Sequence, residues 1–223
     1  MQNSYDQISE QWHASARGQA YVDRVLGYVD LVLAGLQPGA GVLDLGCGTG
    51  NPIARYIAEK GFLVTGVDQS ARMLEIAHNE VPEAVFIHAD MVDVELTGKF
   101  AAAIAWDSVF HVERKYHFDI FRKLANALVP GGRLLLSIGG SDSASNCEDS
   151  ASDVDPESEG FTSQMHGHTF FYSGYDPQVA RHLLESAGFE IEVWEVDDPS
   201  ARGHIAVITR KVTQPSPKRR GEV

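Results

Sequence analysis

Asp44 stands two residues before a run of spaced glycines, in Val42-Leu43-Asp44-Leu45-Gly46-Cys47-Gly48-Thr49-Gly50-Asn51-Pro52. Val42, Leu43 and Leu45 have the apolar character of a short buried strand. Gly46, Gly48 and Gly50 end it abruptly and allow a ligand to lie against the main chain without meeting a Cβ. Asn51 is a favoured helix N-cap and Pro52 suits a first helical position. Strand, glycine turn and helix N-terminus together make the geometry of a nucleotide-type ligand site. A dinucleotide fingerprint requires a third glycine where Asn51 stands, which disfavours a nicotinamide dehydrogenase. A carboxylate beside the turn repels a pyrophosphate and suits a cation. Asp68 ends a second apolar run 24 residues later, and Asp90 follows a third. Acids end strands often as turn formers, but three at successive strand ends are hard to obtain by chance.

Asp44-Leu45-Gly46-Cys47-Gly48-Thr49-Gly50 resembles the first motif of class I S-adenosylmethionine-dependent methyltransferases, and later motifs arrive in the family's order. The resemblance spans most of residues 5–211 and points to the small bacterial type. It implies S-adenosylmethionine as methyl donor and S-adenosylhomocysteine as product. It implies Gly46, Cys47, Gly48 and Gly50 along the methionine part, with Asp44 near its ammonium. Asp68 then takes the ribose hydroxyls, a bidentate geometry that suits a carboxylate. Gln69 and Met73 line the adenosine pocket, Asp90 takes the adenine amino group, and Met91 packs on the ring.

The segment Ala105-Trp106-Asp107-Ser108-Val109-Phe110-His111-Val112 follows a fourth apolar run. In the family pattern it passes under the sulfonium, where Trp106 is expected, and faces the acceptor. It lacks the Asn/Asp-Pro-Pro-Tyr quartet associated with methylating exocyclic amines of nucleobases or glutamine amides. His111 is a candidate general base, since a neutral imidazole can take a proton from an attacking hydroxyl or amine. A packed histidine hydrogen-bonded inside is the favoured alternative, because methyl transfer often needs only proximity and in-line approach. Met165-His166-Gly167-His168-Thr169-Phe170-Phe171-Tyr172 forms a second cluster, with His168 as a further catalytic candidate and Tyr172 as an acceptor contact. Its aromatic faces and imidazoles suit the neighbourhood of a sulfonium. The His-Gly-His spacing has no third ligand to complete a metal site.

The elements that must position these residues alternate as a parallel sheet demands. Helices are expected over about 52–60, 70–80 and 113–128, and from near Pro177. Strands are expected from Val42, at 63–67, 85–87, 100–106, 133–138, 190–196 and 205–209. Pro130-Gly131-Gly132 is read as the turn before the fifth strand. Ahead of this repeat, Tyr5, Ile8 and Trp12 fall at helical spacing, and a second helix carries Val22, Val25, Val29, Val32 and Leu36. The expected fold is α/β: a doubly wound, mostly parallel sheet with helices on both faces and an N-terminal helical cap. Seven strands with the last antiparallel are what the resemblance adds. Tyr5 and Trp12 are read equally as surface packing or as acceptor contacts.

Residues 141–159 break the rhythm with six serines, seven acids and no Lys or Arg. Such a composition cannot bury enough surface to order itself unaided. The aromatic stretch after it, to Tyr175, is expected to act as a lid over the acceptor. Residues 1–211 are expected to form one domain, with a cap at 1–38, a loop and lid at 141–175, and a disordered tail at 212–223.

A net charge of −13, from 18 Lys and Arg against 31 Asp and Glu, argues against a nucleic-acid surface. No long apolar span and no basic N-terminus appear, so neither a membrane helix nor a signal peptide is expected, and the cytoplasm is the default. Two cysteines give no disulfide framework. The expected activity is methyl transfer to an oxygen or nitrogen of a small molecule, by a monomer or homodimer. A protein methyltransferase, or a non-catalytic protein that binds the methyl donor and regulates a partner, are the alternatives.

Overall fold

The computed structural model describes residues 4–15, 18–139, 160–198 and 204–212. Two helices come first, α1 (Ser4–Ala14) and α2 (Gln19–Leu33). Then follow β1 (Gly41–Leu45), α3 (Ile53–Glu59), β2 (Leu63–Asp68), α4 (Ala71–Glu80), β3 (Val85–His88), β4 (Phe100–Ala105), α5 (Arg114–Ala127) and β5 (Leu128–Ile138). A hairpin, β6 (Phe161–Met165) and β7 (His168–Tyr172), precedes α6 (Pro177–Ser186), β8 (Phe189–Asp198) and β9 (His204–Lys211). The seven-stranded sheet has the order β3-β2-β1-β4-β5-β9-β8. β1 to β5 pair in parallel, and β9 runs antiparallel to both of its neighbours.

Strand residues alternate between two cores, as a period of two requires. Val42, Ala102, Ile104 and Leu135 pack with α2 and α3 on one face. Leu43, Ala103, Leu134 and Leu136 pack with α5 and α6 on the other. The central strands are covered on both faces and therefore read as continuous apolar runs. All the parallel strands then point their C-terminal ends at one edge, where a doubly wound sheet binds its ligands.

Helix starts follow local chemistry. The Ser70 hydroxyl caps α4 by accepting from the Met73 N–H at 3.1 Å. Asp176 caps α6 through Gln178 N–H at 2.9 Å, with Pro177 in the first turn. Asn51, expected as the cap of α3, does not serve as one: Pro52 holds the cap position and no side chain caps it. The Arg55 N–H instead bonds back to the Gly50 carbonyl at 2.9 Å, so the glycine turn itself closes onto the helix.

β5 starts earlier than expected, at Leu128. Its pairing with β4 jumps from Phe100↔Leu128 to Ala102↔Arg133, so 129–132 bulge out between them. Pro130 to Gly132 thus turns the chain inside a strand rather than before one. The two N-terminal helices also divide their work. α2 buries Val25, Val29 and Val32 against the sheet face, while α1 lies beside α4 and β7 at the ligand edge. The acidic stretch 141–159 and the tail from 213 lie outside the described residues.

Candidate functional site

A cavity of about 490 Å³ opens at the C-terminal edge of the sheet. The ends of β1, β2 and β4, the segment after β3, α1 and the hairpin all contribute to its wall. The glycine turn is shaped for close approach. Gly46 has φ +84°, and a Cβ there would stand 2.3 Å from Ser108 Cβ, while Ser108 Oγ donates to the Leu45 carbonyl at 2.9 Å. Only glycine lets β1 and the segment after β4 meet this closely.

Asp44 is 2% exposed, and among the described residues no group donates a hydrogen bond to its carboxyl. Burial, with the Asp68 charge nearby, pushes it from its ordinary 3.8 up to about 7. A buried carboxylate without a donor, facing a cavity, calls for a cation to complete it. Asp68 is better held: Oδ2 accepts from the Gly48 N–H and Oδ1 from the Ser70 N–H, both at 2.8 Å. Burial still moves its carboxyl upward, against the backbone donors that oppose the shift. Asp90 Oδ1 accepts from the Val92 N–H at 2.8 Å and lines the same cavity. Burial and the Asp44 charge drive the Cys47 thiol well above its usual range, so it stays protonated and is a poor nucleophile.

His111 lies on a single 3₁₀ turn, Val109–His111, after β4. Its Nδ1 is 2.8 Å from the Phe171 carbonyl, which can only accept, so the proton is on Nδ1. Burial holds this imidazole below its ordinary pKa and hence neutral. Its Nε2 therefore accepts, and the Tyr5 hydroxyl donates to it at 2.7 Å. Both ring nitrogens are thus occupied, although the residue forms part of the cavity wall.

The structure brings Tyr5, Trp12, Asp44, Gly46, Cys47, Gly48, Asp68, Gln69, Met73, Asp90, Met91, Trp106 and His111 to one cavity. Three expected site residues lie elsewhere. Gly50, at φ +76°, packs toward Val81, Ala77 and Ala54, so it shapes the turn rather than the wall. Tyr172 stacks on Phe161 and lies 4.7 Å from the His111 ring, outside the wall. His168 pairs with Met165 at the hairpin turn and is also outside it. The hairpin meets the cavity wall at Phe171, whose carbonyl accepts from His111 Nδ1, while the rings of Phe170 and Tyr172 pack on Tyr5 and His111.

The wall also holds Asp107, Ser108, Glu113, Tyr116 and Phe171, which sequence reading did not single out. Asp107 obeys the same strand-end rule that marked Asp44, Asp68 and Asp90, so the signal was there. For Phe171 there is no local signal: its contact is made by a backbone carbonyl, and its strand partner is exposed and gives no pattern. Asp6 is a further omission: its carboxylate accepts from Ser70 Oγ at 2.6 Å and Arg72 N–H at 3.2 Å, fixing α1 to the start of α4.

Residues 42–132 match the family described as a methyltransferase domain. The chain is similar to a 27-O-demethylrifamycin SV methyltransferase of Amycolatopsis mediterranei, 33% identical over 114 residues, which is 47% of this chain and 41% of that protein. It is also similar to a trans-aconitate 2-methyltransferase of Rhizobium etli, 33% identical over 132 residues, 57% of this chain and 50% of that one. The chain thus spans about half, or less, of the length of these curated relatives. Among solved structures, a magnesium protoporphyrin IX methyltransferase of Synechocystis with bound S-adenosylhomocysteine superposes with a TM-score of 0.72 at 18% identity. The match covers 94% of this chain and 95% of that one.

Proposed function

We propose that this chain, which belongs to the class I S-adenosylmethionine-dependent methyltransferases, moves a methyl group to an oxygen or nitrogen nucleophile of a small molecule. The observation that carries the reading is Asp44: a buried carboxylate with no donor among the described residues, beside a glycine turn, in the wall of a cavity that the strand-end acids Asp68, Asp90 and Asp107 share. The residues present fit S-adenosylmethionine. Asp44 would hold its ammonium, the backbone from Gly46 to Gly48 its methionine chain, and Asp68 its ribose hydroxyls. Asp90 and Met91 would take the adenine, with Gln69 and Met73 lining the adenosine side and Trp106 below the sulfonium. The bound group supplies an electrophilic methyl whose transfer needs in-line approach.

The protein's own part is then alignment and exclusion of water. α1 brings Tyr5 and Trp12 over the cavity, and the hairpin adds Phe171 beside them. A proton released by an attacking hydroxyl or amine has a route through the Tyr5 hydroxyl to His111 Nε2, over the 2.7 Å bond between them. Residues 1–38 would serve as cap and the hairpin as the acceptor-side wall, within one domain. A small acceptor is supported by the cavity's size, which falls in the range of small-molecule sites. The named substrates of the two relatives, a rifamycin and trans-aconitate, support it too.

The test is calorimetry with S-adenosylhomocysteine, followed by detection of that product from S-adenosylmethionine with candidate acceptors. Binding is expected in the wild type, and Asp68→Ala is expected to weaken it by about a hundredfold, the loss of two charge-assisted hydrogen bonds. Undiminished affinity in that variant would remove the basis for the reading.

A further inference from the structure

We infer that Asp107 is the residue that orients the acceptor, and that the acceptor presents a hydrogen-donating amine or hydroxyl to it and carries no carboxylate or phosphate in the cavity. The inference rests on the methyltransferase reading of the same site.

Asp107 follows β4 at φ +50°, a left-handed conformation that aspartate and asparagine tolerate better than most residues. Every part of it is held. Its N–H donates to Ser137 Oγ at 2.8 Å, and Tyr21 OH donates to Oδ2 at 2.7 Å while itself accepting from Trp106 Nε1 at 2.9 Å. His204 Nε2 lies 2.8 Å from Oδ1, an ion-pair contact rather than an aligned hydrogen bond. The other ring nitrogen bonds Asp197 Oδ1 at 2.5 Å, and Arg24 Nε meets Asp197 Oδ2 at 3.2 Å. Carboxylate, imidazolium, carboxylate and guanidinium thus alternate from the cavity wall into the protein. Burial lowers the His204 pKa, but the two carboxylates outweigh it and raise the ring to about 9. His204 is a positioning residue: it does not line the cavity, and its contact with Oδ1 fixes the Asp107 carboxylate from behind.

The rest of the wall points the same way. It contains five acids, Asp44, Asp68, Asp90, Asp107 and Glu113, and among the described residues neither Lys nor Arg. Asp44, Asp68 and Asp90 face the cofactor, and Lys115 pairs with Glu113. A carboxylate or phosphate ester on the acceptor side would therefore meet Asp107 with no Lys or Arg among the described wall residues to offset it. An ammonium or a hydroxyl would find a preorganised acceptor at the end of β4, in a cavity that Trp12 and Tyr116 also line.

The experiment uses the full chain loaded with S-adenosylhomocysteine and four probes of one shape: benzylamine, benzyl alcohol, benzoate and benzyl phosphate. Binding is followed by NMR at the indole N–H signals of Trp12 and Trp106. Benzylamine and benzyl alcohol are expected to bind, and the two anions to bind at least tenfold more weakly. Asp107→Asn, which suits the same backbone conformation, is expected to weaken benzylamine at least fivefold while leaving S-adenosylhomocysteine affinity within twofold. The same variant should lower the pH at which His204 loses its doubly protonated ¹⁵N signature, since Asp197 alone then supports the charge, and His204→Gln should weaken benzylamine without changing the cofactor. Benzoate binding as well as benzylamine overturns the inference. So does unchanged benzylamine affinity in Asp107→Asn, or no Asp107-dependent binding of any probe. Failure of S-adenosylhomocysteine to bind the wild type is a different result, which strikes the methyltransferase reading itself.

Discussion

Asp44 couples the protein's protonation to the charge of what it binds. Because burial raises its pKa to about 7, the ligand-free native state holds a proton that the unfolded chain, near 3.8, has already lost. The native state therefore binds more protons between about pH 4 and pH 7, and this group's contribution to stability falls as pH rises through that window. An ammonium placed against the carboxylate reverses the preference and favours the ionised form. Association with S-adenosylhomocysteine should then tighten roughly tenfold between pH 6 and pH 8, with proton release at the lower pH. Calorimetry in buffers of different ionisation enthalpy reads both effects. Asp44→Asn should bind weakly and lose most of the pH slope, keeping what the neighbouring Asp68, also raised by burial, contributes. A full slope in Asp44→Asn would place the titrating group elsewhere. At this scale the sequence was most informative where one rule applied repeatedly: acids at strand ends. Asp107 obeys that rule too, but its ties to His204, Asp197 and Arg24 join segments far apart in the chain, and no local pattern announces them.

At the scale of elements, α1 and the hairpin decide how the cavity is covered. α1 touches α4 through Asp6 and the hairpin through Tyr5, whose ring meets Phe170 edge-on with centroids 4.8 Å apart. Ser4 Oγ adds a bond to the Thr169 carbonyl at 3.1 Å. Asp6 bonds both the cap residue of α4 and an N–H of its first turn, so it ties the cover to a helix that starts beside Asp68. Asp6→Ala should let α1 lift more often, raising the dissociation rate of S-adenosylhomocysteine several-fold in stopped-flow measurements. Asp6→Asn, which keeps the acceptor oxygen, should remain near wild type. Equal acceleration in both variants would assign the effect to the charge Asp6 places near Asp68 instead of to the tie. The helices were legible because each shows a buried face at 3.6-residue spacing; α4 begins at Ala71, one residue from its expected start, with Ser70 as its cap. The hairpin was not. β6 is exposed along nearly its whole length, so it has no alternation to read. Its turn, His166-Gly167, takes positive φ at both residues, a task more often flagged by Asn-Gly.

For the molecule as a whole, the doubly covered sheet separates stability from ligand binding. Leu135 is fully buried in the middle of β5, with Ile104 on one side and Ile208 on the other, packed in the core that α2 and α3 cover. Its neighbours Leu134 and Leu136 enter the opposite core, so truncating Leu135 opens a cavity that only one face can relax into. Leu135→Ala should cost about 2–5 kcal/mol in chemical denaturation. It does not line the ligand cavity, and its affinity for S-adenosylhomocysteine should stay within about twofold of wild type. Ligand at a hundred times its Kd should then return about 2.7 kcal/mol to the variant and to the wild type alike. Asp68→Ala should behave differently: it leaves the Gly48 and Ser70 N–H groups without their acceptor and so loses some stability without ligand, and it gains little when ligand is added. If Leu135→Ala instead lost its ligand response, the strand ends would depend on core packing far more than the geometry implies. The edge that holds the acids would then have no mechanical independence from the sheet behind it.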